Sequence, residues 1–348
     1  MKIRGIVFFS AVLLLVNFFL FPRISGRELI LRPKAVVEFG SRISGVGGGP
    51  PVMGIQAANR VLFLDEDSRP VHYQEGQSVA VGRDWWAAVV GLGVEIHEPD
   101  GRLRSRIPIM AKPYARNDHL FLYNDANGVL HKIDPANGAV LWRREFLSIL
   151  TVLDARGERS LVGLLDGRCL IVEDSGDVSL EYRPERSRVE AIYGGALSSD
   201  GKRLALVAGL EPQRFILLSE SRNGFTLINS YETEREIRRY VKVDFVYDDA
   251  LAAYESDDHV ILASVGKDEI RRLEAAGVSR DWSVVGDTGT MAIYGMAIDG
   301  GVLKLFTHHD LTLFEGSLPA GIWAMETKGD DIFLIGEKSL GILGVEVY

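Results

Sequence analysis

An all-β chain folded as a β-propeller is what this sequence predicts, and three observations carry the prediction. Past residue 35, apolar runs of four to six residues alternate with Gly, Asp and Asn turns, and no long amphipathic helix interrupts them. An apolar strand, a tight turn, a second apolar strand, a second turn and a more polar strand recur at about 39 residues, the period of a four-stranded propeller blade. Glycine is abundant, 37 of 348 residues, as a fold with many tight turns requires.

The first element precedes the strands. Lys2 and Arg4 are followed by an uncharged run from Ile6 to Phe21, closed by Pro22 and Arg23. A basic start and an apolar run form a membrane-targeting signal. Residues 1–27 are therefore read as a membrane anchor or signal segment and residues 28–348 as the propeller domain. The nearest cleavage triplet, Ile24-Ser25-Gly26, begins with a bulky residue, and the single cysteine, Cys169, is too distant to carry a lipid. An uncleaved, single-pass transmembrane helix through residues 6–21 is favoured over a cleaved signal that would leave a soluble periplasmic body. Either reading puts the propeller on the extracytoplasmic (periplasmic) side. The first 35 residues hold six basic side chains and one acidic, so the remainder carries a formal −14. That balance argues against a sequence-independent hold on nucleic acid.

The strands come next. The unit is clearest at His119 to Phe146 and recurs at Ser160 to Tyr182 and Trp85 to Ile107. Asp-Gly and Asn-Gly turns punctuate it, because those residues accept the positive φ that hairpin turns demand. Aligning the first apolar strand of each unit at Leu62, Ala88, Phe121, Val162, Ala205, Ala252, Leu303 and Phe333 predicts eight blades, with seven as the alternative. The last unit, Gly321 to Tyr348, offers three strands, and Ala35 to Phe39 is a strand with no blade of its own. Pairing that strand at the outer edge of the last blade closes the ring. The glycine-rich Gly45 to Pro51 lacks the Lys-Ser/Thr of a phosphate loop and is read as a connector.

Ile133 to Phe146 (IDPANGAVLWRREF) resembles the PQQ-like repeat, with an Asp, a turn ending in Gly and a Trp four residues later. The resemblance implies that Trp142 docks between blades. Ala196 to Ala208 (ALSSDGKRLALVA) is similar to the serine-aspartate-glycine turn of WD-repeat propellers. The two support the propeller class, and the first implies a setting in envelope assembly or a cell-surface complex. A quinone-dependent dehydrogenase is disfavoured by the short chain and the lone cysteine.

The candidate chemistry is sparse. Seven histidines, His72, His97, His119, His131, His259, His308 and His309, show no metal-ligand spacing, and adjacent His308 and His309 point to opposite faces of a strand. The pairs Asp248-Asp249, Asp257-Asp258 and Asp330-Asp331 form no calcium loop and read as turn residues. Cys169, among apolar neighbours, reads as a buried thiol. No metal, cofactor, small-molecule substrate or catalytic residue is assigned. Candidate partner anchors are Trp85, Trp86, Tyr231 and Tyr240, the tyrosines flanking the charged stretch Ser221 to Asp244; Trp282 and Trp323 are further exposed-aromatic candidates. The expected function is a membrane-anchored, non-catalytic protein-binding scaffold. A hydrolase or lyase using the central channel is one alternative, and a small-ligand or carbohydrate sensor another.

Overall fold

The computed structural model describes residues 29–39, 50–222, 224–275, 278–285, 290–297, 300–307 and 311–347. The run Ile6–Phe21, the connector Gly45–Gly49 and the pair His308 and His309 lie outside the described residues. Among the described residues no helix is long and apolar enough to cross a membrane. Every regular element among them is a β-strand.

In chain order, β1 (Leu29–Glu38) belongs to the last blade. The first blade shows β2 (Met53–Ala57), β3 (Arg60–Leu64) and β4 (Pro70–Glu75). The second holds β5 (Gln77–Val81), β6 (Trp86–Val90), β7 (Gly93–His97) and β8 (Leu103–Ile107). The third holds β9 (Lys112–Arg116), β10 (His119–Asn124), β11 (Val129–Ile133) and β12 (Val140–Glu145). The fourth holds β13 (Leu150–Arg156), β14 (Arg159–Leu164), β15 (Cys169–Glu173) and β16 (Val178–Tyr182). The fifth holds β17 (Val189–Leu197), β18 (Arg203–Leu210), β19 (Arg214–Ser221) and β20 (Gly224–Glu232). The sixth holds β21 (Val243–Val246), β22 (Leu251–Ser256), β23 (His259–Ser264) and β24 (Ile270–Glu274). The seventh holds β25 (Val278–Val285), β26 (Thr290–Ala297), β27 (Gly300–Phe306) and β28 (Thr312–Leu318). The eighth holds β29 (Ile322–Lys328), β30 (Asp331–Gly336) and β31 (Ser339–Val347), completed by β1.

The result is an eight-bladed propeller. Within each four-stranded blade that is continuous in the chain, sequential strands pair antiparallel from the channel outward, and the innermost strands of successive blades touch. Six of the eight aligned anchor residues fall in second strands, but Leu62 and Leu303 fall in β3 and β27, which are third strands. The correction follows from strand direction. Met53 and Gly54, at the start of β2, lie beside Val81 and Lys328, at the ends of the innermost strands β5 and β29, so β2 runs against the innermost strands as a second strand does. The strands β2 to β4 are thus second, third and fourth strands, and no strand holds the innermost position of that blade among the described residues.

Both faces of each inner sheet are buried, which is why the strands read as continuous apolar runs. On β18, Ala205 and Val207 pack toward the sixth blade, whereas Leu204, Leu206 and Ala208 pack toward the fourth. The PQQ-like segment shows how a seam is built. Gly138, at φ +78°, ends its turn so close to the second blade that an added Cβ would lie 2.3 Å from Ser105 Oγ. Trp142 on β12 is 5% exposed and packs with Phe121 of its own blade and with Leu153, Val162 and Val172 of the fourth. Its indole N–H is buried without an acceptor, so what it contributes is packing. Beside it, fully buried Lys132 pairs across the same seam with Asp174, its ammonium 5.8 Å from the Phe121 ring centroid.

Closure comes from β1, which pairs with β31 from Leu29↔Val347 to Glu38↔Ser339. A bulge between Pro33 and Ala35 reverses the side-chain parity. Leu29 and Leu31 therefore pack into the seam with the seventh blade, and Ala35 and Val37 into the seam with the first.

Truncation of Trp142 tests the seam. Trp142→Ala should destabilise the fold by roughly 3–5 kcal/mol through cavity formation between the third and fourth blades. A urea midpoint unchanged by the substitution would contradict this packing role.

Candidate functional site

The inner strands, with the linker before β21, wall a channel lined by charged residues. A cavity of about 520 Å³ is lined by Arg116, Asp154, Arg156, Arg239, Tyr240, Lys242, Asp244, Glu255 and Asp281, among others. Most of the charges are spent on one another. Arg156 Nη2 donates to Asp244 Oδ1 at 3.0 Å, Arg239 pairs with Glu255, and Lys242 pairs with Asp281 and donates to Trp282 O at 2.7 Å. Arg116 instead donates to the carbonyls of Leu153 and Ala115, both at 3.0 Å.

Two of the carboxylates stitch neighbouring blades. Asp154 on β13 accepts from Leu197 N–H of the fifth blade at 2.9 Å and from Asn117 Nδ2 of the third at 2.8 Å. Asp281 on β25 repeats the device, accepting from Met325 N–H of the eighth blade at 3.0 Å and from Lys242 of the sixth. Burial pushes the Asp154, Asp244 and Glu255 carboxyls above their usual range, against the pull of Arg156 on the two aspartates and Arg239 on the glutamate. For Lys242 burial works to lower the ammonium, but Asp281 outweighs it and holds it above its ordinary value. Glu326 on β29 is exposed to water, yet the protein crowded around it desolvates the carboxyl and, with Asp281, pushes it up to about 7, Lys242 opposing.

The anchors expected from sequence are scattered, and several must be corrected. Trp85 and Trp86 are 1% and 5% exposed, in the seams on either side of the second blade, so neither offers surface to a partner. Trp86 stacks on His97 at 4.2 Å and on His72 at 5.9 Å, and burial lowers the His72 imidazole pKa. Trp282 is also buried. Consecutive residues of a doubly covered sheet face two different seams, so neither indole of the Trp85-Trp86 pair is left for solvent. Tyr231 is half-buried and stacks on Phe215 at 6.4 Å. Tyr240 lines the channel cavity. Cys169 is buried, and burial alone drives its thiol pKa upward. No cluster of three or more His, Cys, Asp or Glu positioned for a metal occurs among the described residues.

The channel charges are not legible as a site in the sequence because most meet their partners only across blades, as Arg156 meets Asp244 and Lys242 meets Asp281. One signal was present: apolar-flanked Asp154 (Leu-Asp-Ala) and Asp244 (Val-Asp-Phe), with Asp281 before Trp282, sit on the first strands of the fourth, sixth and seventh blades.

The turns divide the ring into two unlike faces. Antiparallel order puts the first-to-second and third-to-fourth turns of every blade on one face, and the second-to-third turns and interblade linkers on the other. The first face is dominated by acids, among them Glu66, Asp67, Asp100, Asp118, Glu158 and Asp177. The linker face carries an apolar arc over the second to fourth blades, with Leu92, Met110, Leu147 and Ile149 all exposed and Leu147 97% so.

This is a propeller by architecture, and the chain belongs to a family of beta-propeller proteins, whose sequence profile matches residues 1–341. An uncharacterised protein of Treponema pallidum (strain Nichols) is 25% identical over 226 residues, which cover 64% of this chain and 58% of that relative. Among solved structures, BamB from Moraxella catarrhalis superposes with a TM-score of 0.63 at 11% identity, over 90% of this chain and 98% of that one. The computationally designed Ika8 protein gives 0.62 at 12% identity over 85% and 98%. A chain of a mitotic checkpoint complex gives 0.59 at 10% identity over 90% and 96%. At these identities the likeness is one of fold.

Glu326 makes the ring sensitive to pH. Its folded pKa lies above the unfolded value, so the folded state holds the proton more tightly and loses stability as pH rises from about 4.5 to about 7. Glu326→Gln should therefore gain stability relative to the parent chain across that interval. A difference between the two denaturation curves that is the same at pH 5 and pH 8 would contradict it.

Proposed function

We propose that the chain is a non-catalytic protein-binding scaffold, anchored through residues 6–21 in the cell membrane with its propeller on the extracytoplasmic side. The apolar arc of Leu92, Met110, Leu147 and Ile149 on the linker face is the observation that carries the reading. Exposed apolar side chains grouped within a polar rim mark interaction surfaces. Loops on a rigid support suit recognition, and here the linkers rest on blades tied by seam packing and by the Asp154 and Asp281 bridges.

The channel favours the same side. Its cations and carboxylates are satisfied largely by each other or by backbone, an arrangement that serves to hold blades together rather than to turn over a substrate. The anchor is supported by the basic-then-apolar order of residues 2–21. An envelope-assembly setting is supported by the PQQ-like segment Ile133 to Phe146.

Co-purification from detergent-solubilised membranes tests the scaffold. The parent chain should bring down a defined protein partner, and Leu147→Asp combined with Ile149→Asp should lose it without moving the thermal midpoint. Recovery of the chain alone, or of the same partner with the double variant, would contradict the role given to the arc.

A further inference from the structure

We propose that the outer edge of the fifth blade, strand β20, captures an extended segment of a partner protein as an added β-strand, and that this segment carries lysine or arginine at its flanks. The class of partner rests on the scaffold reading above; the binding mode does not.

An outer propeller strand presents a row of unpaired backbone groups, and natural sheets blunt such edges with charge or proline. Seven of the eight outer strands here leave no more than four consecutive residues without one. Pro70 and Glu75 stand on β4, Arg104 and Arg106 on β8, and Arg143 and Arg144 on β12. The strands β16, β24 and β28 carry Glu181, Arg271 and Glu315, and β1 carries Arg32, Pro33 and Lys34. The strand β20 differs in that the eight residues Gly224 to Tyr231 (GFTLINSY) hold no charge and no proline, its one charge, Glu232, standing at the very end. Nothing pairs with its outer side among the described residues. Leu227 is 57% and Ile228 41% exposed. Apart from Arg222 in the preceding turn, the charges of Ser221 to Asp244 begin at Glu232 and continue in the linker beyond it.

The edge is also longer than its counterparts. Most outer strands bulge near their turn, and in β12 a single pair, Ile133↔Val140, follows the bulge. In β20 four pairs follow it, from Leu218↔Leu227 to Ser221↔Gly224. The β19–β20 hairpin therefore projects past the rim on the acidic face. Acids outnumber bases around the edge: Glu181 on the neighbouring outer strand, Asp268, which accepts from Asn229 Nδ2 at 3.3 Å, and Glu232 at the strand's end, itself paired with Arg214, stand against Arg222 in the turn.

These features define the occupant. Main-chain pairing supplies affinity without demanding a particular sequence, and apolar side chains at alternate positions cover Leu227 and its neighbours. Basic flanks meet the acids. A second copy of this chain fits poorly, because self-pairing at this edge would bring two acidic faces together on a chain of net charge −9.

The test uses the full chain in detergent micelles and a synthetic peptide of alternating valine and threonine between lysine pairs. Saturating peptide should slow amide exchange at Gly224–Tyr231 by about tenfold or more, with no comparable change on β8. Leu227→Lys should weaken peptide binding by about tenfold, whereas Leu103→Lys on β8 should leave it unchanged. N-methylation of the peptide amides along one edge should abolish binding, which tests strand pairing without altering the protein. Binding that leaves β20 exchange untouched, or that survives both Leu227→Lys and methylation, would overturn the proposal. So would a concentration-dependent dimer lost on Leu227→Lys, which would assign the edge to a second copy. If a native partner is still captured by the Leu227→Lys chain, the edge is wrong and the scaffold stands. If peptide pairs with β20 yet no partner is ever recovered, the edge stands and the scaffold fails.

Discussion

The pairing of Leu29–Glu38 with Ser339–Val347 joins an early strand to the last blade, and each of the other seams depends on it. A ring of blades has no central core; each blade is held by its two neighbours, so one open seam leaves two apolar faces without partners. The bulge at Pro33/Ala35 is what lets a single strand serve both sides. Without it Leu29, Leu31, Ala35 and Val37 would lie on one face, and one of the two adjoining seams would be short of apolar cover. Lys34 reinforces the join with an ion pair to Asp331 at 2.6 Å.

A closed ring fixes where other groups sit. Asp154 and Asp281 reach the next blade's backbone only because the innermost strands are held at constant spacing, and burial there raises the Asp154 carboxyl pKa. Closure also sorts the turns. Residues chosen for tight hairpins, Asp above all, collect on one face and give it its charge. The linkers collect on the other, where Leu147 and Ile149 have no turn geometry to satisfy and stand in solvent. A scaffold with two chemically different faces is a consequence of topology acting on local turn chemistry.

Much of this architecture was legible in the residues. The apolar periodicity, the turn signals and the orphan strand at Ala35 to Phe39 led to eight blades and to their closure. Blade alignment slipped at Leu62 and Leu303 because second and third strands are both buried on two sides, and their composition does not tell them apart. The aromatic anchors failed for the same reason: Trp85 and Trp86 alternate between two buried seams rather than between core and solvent. The channel charges were invisible because residues of different blades converge only in space. The bare edge of β20 was hidden by its charged neighbours, since a count over Ser221 to Asp244 averages a neutral strand with a charged linker.

Native-state hydrogen exchange across β1 and β30 tests the central claim most directly. If β1 locks the ring, the amides of Val36, Val37 and Glu38 should exchange only through global unfolding, with the same free energy and denaturant dependence as Phe333 and Leu334 in β30. Exchange of the β1 amides through a separate, low-energy opening, while β30 stays protected, would show that the blades hold together without their closing strand and would contradict the account.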